Sequence, residues 1–197
     1  MKLVLASGSA VRATLLRNAG LDFAVIRPDV DETVIKQAGE RAGKTVEAVA
    51  ADLAAAKAAV VAAQAPDAIV IAADQMMECD GAWFDKPADL AEARARLLDL
   101  AGRAHRLITA VDMRRGERVL CRHTAIATLT MRPFGEAFVD HYLGLAGDAV
   151  CQSVGAYQLE GPGALLFDRV EGDFFTILGL PLLTVLATLR QEGAIPA

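Results

Sequence analysis

Short apolar runs alternate with helix-length stretches from one end of this chain to the other. That alternation limits the fold before any motif is considered. Leu3 to Ala6 and Ala68 to Ala73 are apolar runs too short for helices and read as buried strands. Between them, Ser9 is placed to cap a helix from about Ala10 to Asn18, which Gly20 stops. Phe23 to Ile26 predicts a second strand, closed by Arg27-Pro28, and Asp29 to Thr33 reads as a polar, acidic loop. Thr45 caps a long alanine-rich helix from about Val46 to Gln64, a composition with the highest helix propensity. Farther along, Asp80-Gly81 marks a hairpin between Met76–Cys79 and Ala82–Phe84. Asp89 opens a helix to about Ala101, with Leu90, Leu97 and Leu98 facing the core. His105 to Met113 and Val119 to Met131 alternate as strands around Arg115-Gly116. A helix over Phe134 to Leu145, a strand over Leu165 to Val170 and a last helix over Leu182 to Glu192 complete the pattern. Strands alternating with helices imply an α/β fold, and the hairpins imply a mixed rather than a purely parallel central sheet.

The 197 residues contain no internal repeat and no low-complexity linker, so residues 1–197 read as a single domain. A hydrophobic content of 54% excludes disorder. The 20 Lys and Arg against 25 Asp and Glu give a net charge of -5, which argues against nucleic-acid binding but leaves room for a small anionic ligand held by a local cluster of cations. Cys79, Cys121 and Cys151 have no metal-ligand spacing and read as reduced thiols of a cytoplasmic protein. The N-terminal apolar run is too short for a signal peptide. No uncharged apolar stretch is long enough for a membrane span, because Glu47, Asp52, Lys57 and Pro66 interrupt the best candidate.

Ser7-Gly8-Ser9-Ala10-Val11-Arg12 joins a strand end to a helix start. Exposed backbone N–H groups, the helix dipole, two hydroxyls and Arg12 suit an anion there, although an ordinary capped helix has the same pattern. Asp74 closes an apolar strand, where a carboxylate is able to hold a metal or activate water; the alternative is a loop cap. Glu32 lies in the acidic loop, Lys57 on the alanine-rich helix, and Lys86 in a loop stiffened by Pro87; each read alone is also an ordinary solvated charge. Glu160 sits in the glycine-rich run Gly155 to Gly163, which reads either as a flexible surface loop or as a loop that brings backbone close to a ligand. His105, His123 and His141 form no catalytic arrangement. Taken together, these residues suit metal-assisted hydrolysis of a polyphosphate, in which cations neutralise charge and an acid activates water.

Over nearly its whole length the chain resembles the Maf-type nucleoside triphosphate pyrophosphatases. The resemblance is carried by Leu5-Ala6-Ser7-Gly8-Ser9-Ala10-Val11-Arg12 with Leu15-Leu16, and by Val30-Asp31-Glu32-Thr33, Ala56-Lys57-Ala58 and Ala73-Asp74-Gln75. Asp85-Lys86-Pro87, Gly155-Ala156-Tyr157 with Glu160-Gly161, and Gly179-Leu180-Pro181-Leu182 continue it in the same order. It implies a mixed central sheet with flanking helices, in an elongated inosine-triphosphatase-like body with a central cleft. The activity it implies is hydrolysis of a nucleoside triphosphate at the α–β bond, giving a monophosphate and pyrophosphate. It further implies Mg²⁺ or Mn²⁺, a cytoplasmic location and a homodimer; the acidic charge and the lack of a long apolar stretch speak against nucleic acid and membrane as partners. On the matching positions Asp74 becomes the proton acceptor for water. Ser7, Arg12, Lys57 and Lys86 become phosphate ligands, and Glu32 with Asp74 holds the metal.

Three positions depart from the commonest family signature. Ala10-Val11-Arg12 stands where Pro-Arg-Arg is usual, Asp74-Gln75 where Asp-Thr is usual, and Glu160 where Gln is usual. This trio resembles the branch acting on 7-methyl-GTP, which makes Val11, Gln75 and Glu160 the specificity positions. Guanine presents two adjacent donors that a carboxylate accepts in bidentate fashion, and Gln75 would donate to O6. Uracil and thymine place carbonyls where Glu160 would repel them. The alternatives are a dTTP/UTP pyrophosphatase of the same family and a non-catalytic nucleotide-binding regulator of cell division.

Overall fold

The computed structural model describes residues 1–196. Its elements run β1 (Leu3–Ala6), α1 (Ala10–Asn18), β2 (Ala24–Val25), α2 (Glu32–Arg41), α3 (Val46–Gln64), β3 (Ile69–Cys79), β4 (Ala82–Phe84) and α4 (Leu90–Leu100). They continue with β5 (Ala104–Arg115), β6 (Arg118–Met131), α5 (Glu136–Ala146), β7 (Phe167–Glu171), α6 (Phe174–Ile177) and α7 (Leu182–Gln191), with short 3₁₀ turns at Gly147–Gln152 and Pro162–Leu166. The strands form one mixed seven-stranded sheet in the order β2-β1-β3-β5-β6-β7, with β4 paired to β3. β1 runs parallel to both β2 and β3, whereas β4 and β7 pair antiparallel with β3 and β6.

The caps read from the sequence hold these helices. Ser9 Oγ accepts from the Arg12 amide, Thr45 Oγ1 from that of Ala48, and Asp89 Oδ1 from that of Glu92. Each satisfies an amide that the first helical turn leaves without an intrahelical partner.

The structure corrects the sequence reading at four places. The acidic loop runs only to Asp31 and opens an unforeseen helix: Asp31 Oδ1 accepts from the Val34 amide and caps α2, and Glu32 is its first residue. Asp74 does not close a strand but lies in the middle of the eleven-residue β3, which continues through Gln75 to Cys79. A short helix, α6, occupies Phe174–Ile177, where the sequence suggested only a loop around Gly172-Asp173. On α4, Leu97 is fully buried but Leu90 is 38% exposed, because it is the first helical residue and lies at the rim.

The chain divides into two compact units, with β3, β5 and β6 contributing residues to both. The first comprises residues 1–75, 109–125 and everything from Phe174 to the end of the described chain. β1 and the Ile69–Asp74 stretch of β3 are buried on both faces, and their two-residue period sorts the side chains. Leu3, Leu5, Ile69 and Ile71 pack with Leu16 of α1 and Val185 and Leu189 of α7. Val4, Ala6, Val70 and Ala72 pack instead with Ala58, Val61 and Ala62 of α3. The alanines let α3 lie close on the sheet, and each fully buried Leu or Ile contributes roughly 2 kcal/mol. The second unit comprises Met76–Ile108 and Ile126–Asp173. In it β3 and β4 close around Asp80 (φ +49°) and Gly81 (φ +84°), the doubly left-handed turn that the Asp-Gly pair favours.

Candidate functional site

In the first unit, five of the expected site residues meet where β1, α1, α2, α3 and β3 come together. Ser7, buried at the end of β1, accepts through Oγ from the Ser9 amide (3.1 Å) and from Arg12 Nη1 (3.2 Å). Arg12, in the first turn of α1, donates from Nε to the Gly179 carbonyl at 2.7 Å. Burial pulls its guanidinium below the ordinary arginine value, and the carboxylates of Asp74 and Glu32 push back in the other direction.

Lys57 is the centre of charge. It projects from α3, is only 7% exposed, and donates from Nζ to Asp74 Oδ1 at 2.6 Å and to Glu32 Oε1 at 2.7 Å. Asp74 is 5% exposed, whereas the Glu32 side chain is 46% exposed at the start of α2. Two buried opposite charges are costly to bring out of water, and they persist here because they meet directly. This pairing explains why a strand tolerates Asp74 at its centre. It also explains why Lys57, which read alone looks like a surface lysine, is buried: its partner lies 17 residues away in the chain.

Beside Asp74, the Gln75 amide nitrogen lies 2.9 Å from Thr109 Oγ1, 3.1 Å from the Thr176 carbonyl and 3.1 Å from the Ile177 carbonyl. Thr109 Oγ1 in turn donates to the Thr176 carbonyl at 3.0 Å. The Gln75 amide nitrogen is therefore engaged with three protein acceptors. Val11 sits half-buried on α1 next to Arg12. Sequence reasoning passed over two nearby residues. Thr109 is one. Arg27 is the other: its side chain lies against the Ser7-Gly8-Ser9 turn, and a Cβ placed on Gly8 would come within 3.5 Å of its Nε. Arg27-Pro28 directly after a strand is the available signal for it, and by itself that pair marks only a strand stop.

Lys86 and Glu160 belong to the second unit, and both are exposed. The loop that carries Glu160 is held from beneath. Tyr142 Oη donates to the Ala156 carbonyl at 3.2 Å, and Tyr157 Oη and His105 Nε2 share a hydrogen bond of 2.7 Å. The Tyr157 and Phe167 rings meet edge to face at 4.8 Å. A side chain at Gly155 would collide with the Tyr157 ring, and one at Gly163 with the Gln158 backbone, so this tight packing requires both glycines. Burial lowers His105 from 6.5 to about 4, raises Tyr142 to about 12 and pushes Tyr157 up further still.

Glu32 and Asp74 are hard oxygen donors close enough to share one ammonium group, which fits the donor chemistry of Mg²⁺ or Mn²⁺. Among the described residues no group of three or more His, Cys, Asp and Glu side chains is arranged for a metal. A divalent ion here would therefore complete its shell with water and substrate oxygens, as Mg²⁺ commonly does. Among the described residues no helix is long and apolar enough to cross a membrane.

The family model described as Maf-like protein matches residues 2–192. The nucleoside triphosphate pyrophosphatase of Paramagnetospirillum magneticum is 53% identical over 190 residues, covering 96% of this chain and 98% of that protein. The nucleoside triphosphate pyrophosphatase of Granulibacter bethesdensis is 48% identical over 195 residues, or 99% of each. The 7-methyl-GTP pyrophosphatase of Brucella abortus is 45% identical, covering 99% of this chain and 98% of that protein. Among solved structures, a HAM1 protein from Coxiella burnetii shares the fold, with a TM-score of 0.51 at 15% identity over 95% of this chain and 98% of that one.

Proposed function

The chain belongs to the Maf family, and we propose that it is a nucleoside triphosphate pyrophosphatase acting as one domain over residues 1–197. In this reading it cleaves the α–β phosphate bond, releases a monophosphate and pyrophosphate, and prefers 7-methyl-GTP. One observation carries the proposal: a buried carboxylate, Asp74, is held by a buried lysine beside a hydroxyl-and-arginine turn at a helix start. That combination supports the reading of a base for water beside donors for phosphate.

Each residue then has a task. Asp74 takes the proton of the attacking water, and Lys57 balances its charge and holds its Oδ1 in place. Ser7 and Arg12, with the first turn of α1, bind phosphate oxygens; their mutual hydrogen bond sets both groups before substrate arrives. Lys86 adds a further phosphate contact by its place in the family motif. Glu32 and Asp74 would hold the Mg²⁺ or Mn²⁺, which when bound supplies positive charge to the phosphate oxygens. Glu160 accepts from the two donors on the guanine edge, and its exposure on a well-anchored loop leaves the carboxylate available for that task. Relatives named 7-methyl-GTP pyrophosphatase support the preference.

A panel of 7-methyl-GTP, GTP, dTTP and UTP with Mg²⁺ or Mn²⁺, read as pyrophosphate release, tests the proposal. The highest kcat/KM is expected for 7-methyl-GTP. Pyrimidine activity above it would instead make the chain a dTTP/UTP pyrophosphatase, and binding without release would favour a nucleotide sensor.

A further inference from the structure

The geometry points to Gln75 as a positioning residue for Arg12, acting through the Phe174–Leu180 segment rather than by contact with the base. This inference rests on the reading of Arg12 as a phosphate ligand. Its starting point is the amide. Carbonyl oxygens only accept, so the atom that meets the Thr176 and Ile177 carbonyls is the nitrogen of Gln75, and its orientation is fixed. Thr109 spends its single hydroxyl hydrogen on the Thr176 carbonyl and therefore accepts from Gln75. Two amide hydrogens thus serve three acceptors, and none is left for a ligand.

What they brace is the turn that ends α6. The Thr176 carbonyl also accepts from the Gly179 amide (3.0 Å), and the Phe175 carbonyl accepts from that of Leu180 (3.1 Å). Gly179 takes φ +96°, a conformation open to glycine, which lets its own carbonyl accept from Arg12 Nε. A Cβ on Gly179 would lie 3.6 Å from Arg12 Nε and Nη2 and 3.8 Å from Gln75 Oε1, so Gln75 and Arg12 flank the same turn. Gln75 holds the turn, the turn holds Nε of Arg12, and Nη1 of Arg12 meets Ser7. Any preference that depends on Gln75 follows from where the phosphates are held.

Inorganic tripolyphosphate, which carries no base, tests this directly. Its affinity is measured by calorimetry for the wild type, Gln75→Leu, Thr109→Val, Arg12→Ala and the Gln75→Leu/Arg12→Ala double variant, with thermal melts to establish folding. Gln75→Leu is expected to weaken tripolyphosphate on the order of tenfold. It should lower kcat/KM for 7-methyl-GTP and UTP by a common factor, and cost nothing further once Arg12 is gone. Thr109→Val, which touches only the brace, should shift the same quantities in the same direction by less. Unchanged tripolyphosphate affinity with a collapsed 7-methyl-GTP to UTP ratio would overturn the inference, and so would additivity with Arg12→Ala. A wild-type chain that binds tripolyphosphate yet releases pyrophosphate from no nucleotide would defeat the pyrophosphatase reading, while the affinities would still decide the role of Gln75.

Discussion

The Lys57 cluster of the first unit and the Glu160 loop of the second are held in place by opposite means. Around Lys57 two buried charges, its own and that of Asp74, meet at 2.6 Å, and the part-exposed Glu32 meets the same ammonium at 2.7 Å. Beneath the Glu160 loop the buried groups are neutral: His105, Tyr142 and Tyr157 are shifted by burial toward their uncharged forms and linked to the loop by hydrogen bonds and ring contacts. In the proposed function the first region receives a polyanion and activates water, and preformed, paired charges there would remove reorganisation from the reaction. The second region, in the same proposal, presents one exposed carboxylate and needs only a firm neutral base beneath it. If that contrast is right, damage to the first region costs turnover, and damage to the second costs stability or selectivity.

The largest effect is expected from Asp74→Asn. The amide keeps the shape and an oxygen for Lys57, but it is no longer a base, so kcat should fall roughly 10³-fold while triphosphate affinity changes little. Pyrophosphate release and calorimetry on the same preparation separate the two. A variant with wild-type turnover would remove Asp74 from the role of base and dissolve the contrast at its strongest point.

The same contrast explains what was legible in the sequence. Local chemistry was legible: Ser9, Thr45 and Asp89 announced their helices because a cap bonds to its own first turn. The first unit's core was legible too, since the uninterrupted apolar runs at Leu3 and Ile69 are what a strand buried on both faces requires. Pairing at a distance was not. Asp74-Gln75 looked like a strand end because two polar residues interrupt an apolar run, yet Lys57 compensates one and Thr109, Thr176 and Ile177 satisfy the other. The missed α2 was a local signal set aside: Asp31 as cap, Glu32 in the first turn, Arg41 in the last and Gly43 at φ +64° beyond it follow the ordinary order of a helix. The Glu160 anchor was hidden because His105 lies on β5, Tyr142 on α5 and Tyr157 in the loop itself, and no spacing links them.

The neutral region is tested by acid. In the folded chain His105 titrates at about 4 instead of 6.5, because burial penalises its charged form. Above pH 6.5 it is neutral in both states and its contribution to stability is intact. Between 6.5 and about 4 the unfolded chain takes up a proton that the folded chain refuses, so stability falls as the pH drops; below about 4 both states carry the proton and the loss stops. The shift corresponds to about 3 kcal/mol. Urea unfolding at pH 7 and pH 4 should show the wild type losing that much more than His105→Gln, which does not titrate. Parallel losses in the two proteins would mean that His105 is not kept neutral.

The smallest effect sharpens the comparison most, because it separates the loop's carboxylate from the base that carries it. Glu160→Gln exchanges two acceptor oxygens for one acceptor and one donor at an exposed position, leaving Tyr142, Tyr157 and His105 untouched. Stability should stay within about 0.5 kcal/mol of wild type. In the proposed binding mode guanine would lose one of its paired donor contacts, and a pyrimidine carbonyl would gain a donor where it met a carboxylate. One bidentate contact discriminates by about 1–3 kcal/mol, so the preference for 7-methyl-GTP over UTP should fall roughly ten- to hundredfold. Turnover on the pyrimidine should rise or hold, because the Lys57 cluster is intact. A uniform loss across all nucleotides would instead place Glu160 with the charged groups of the first region, and the division of labour between the two would fail.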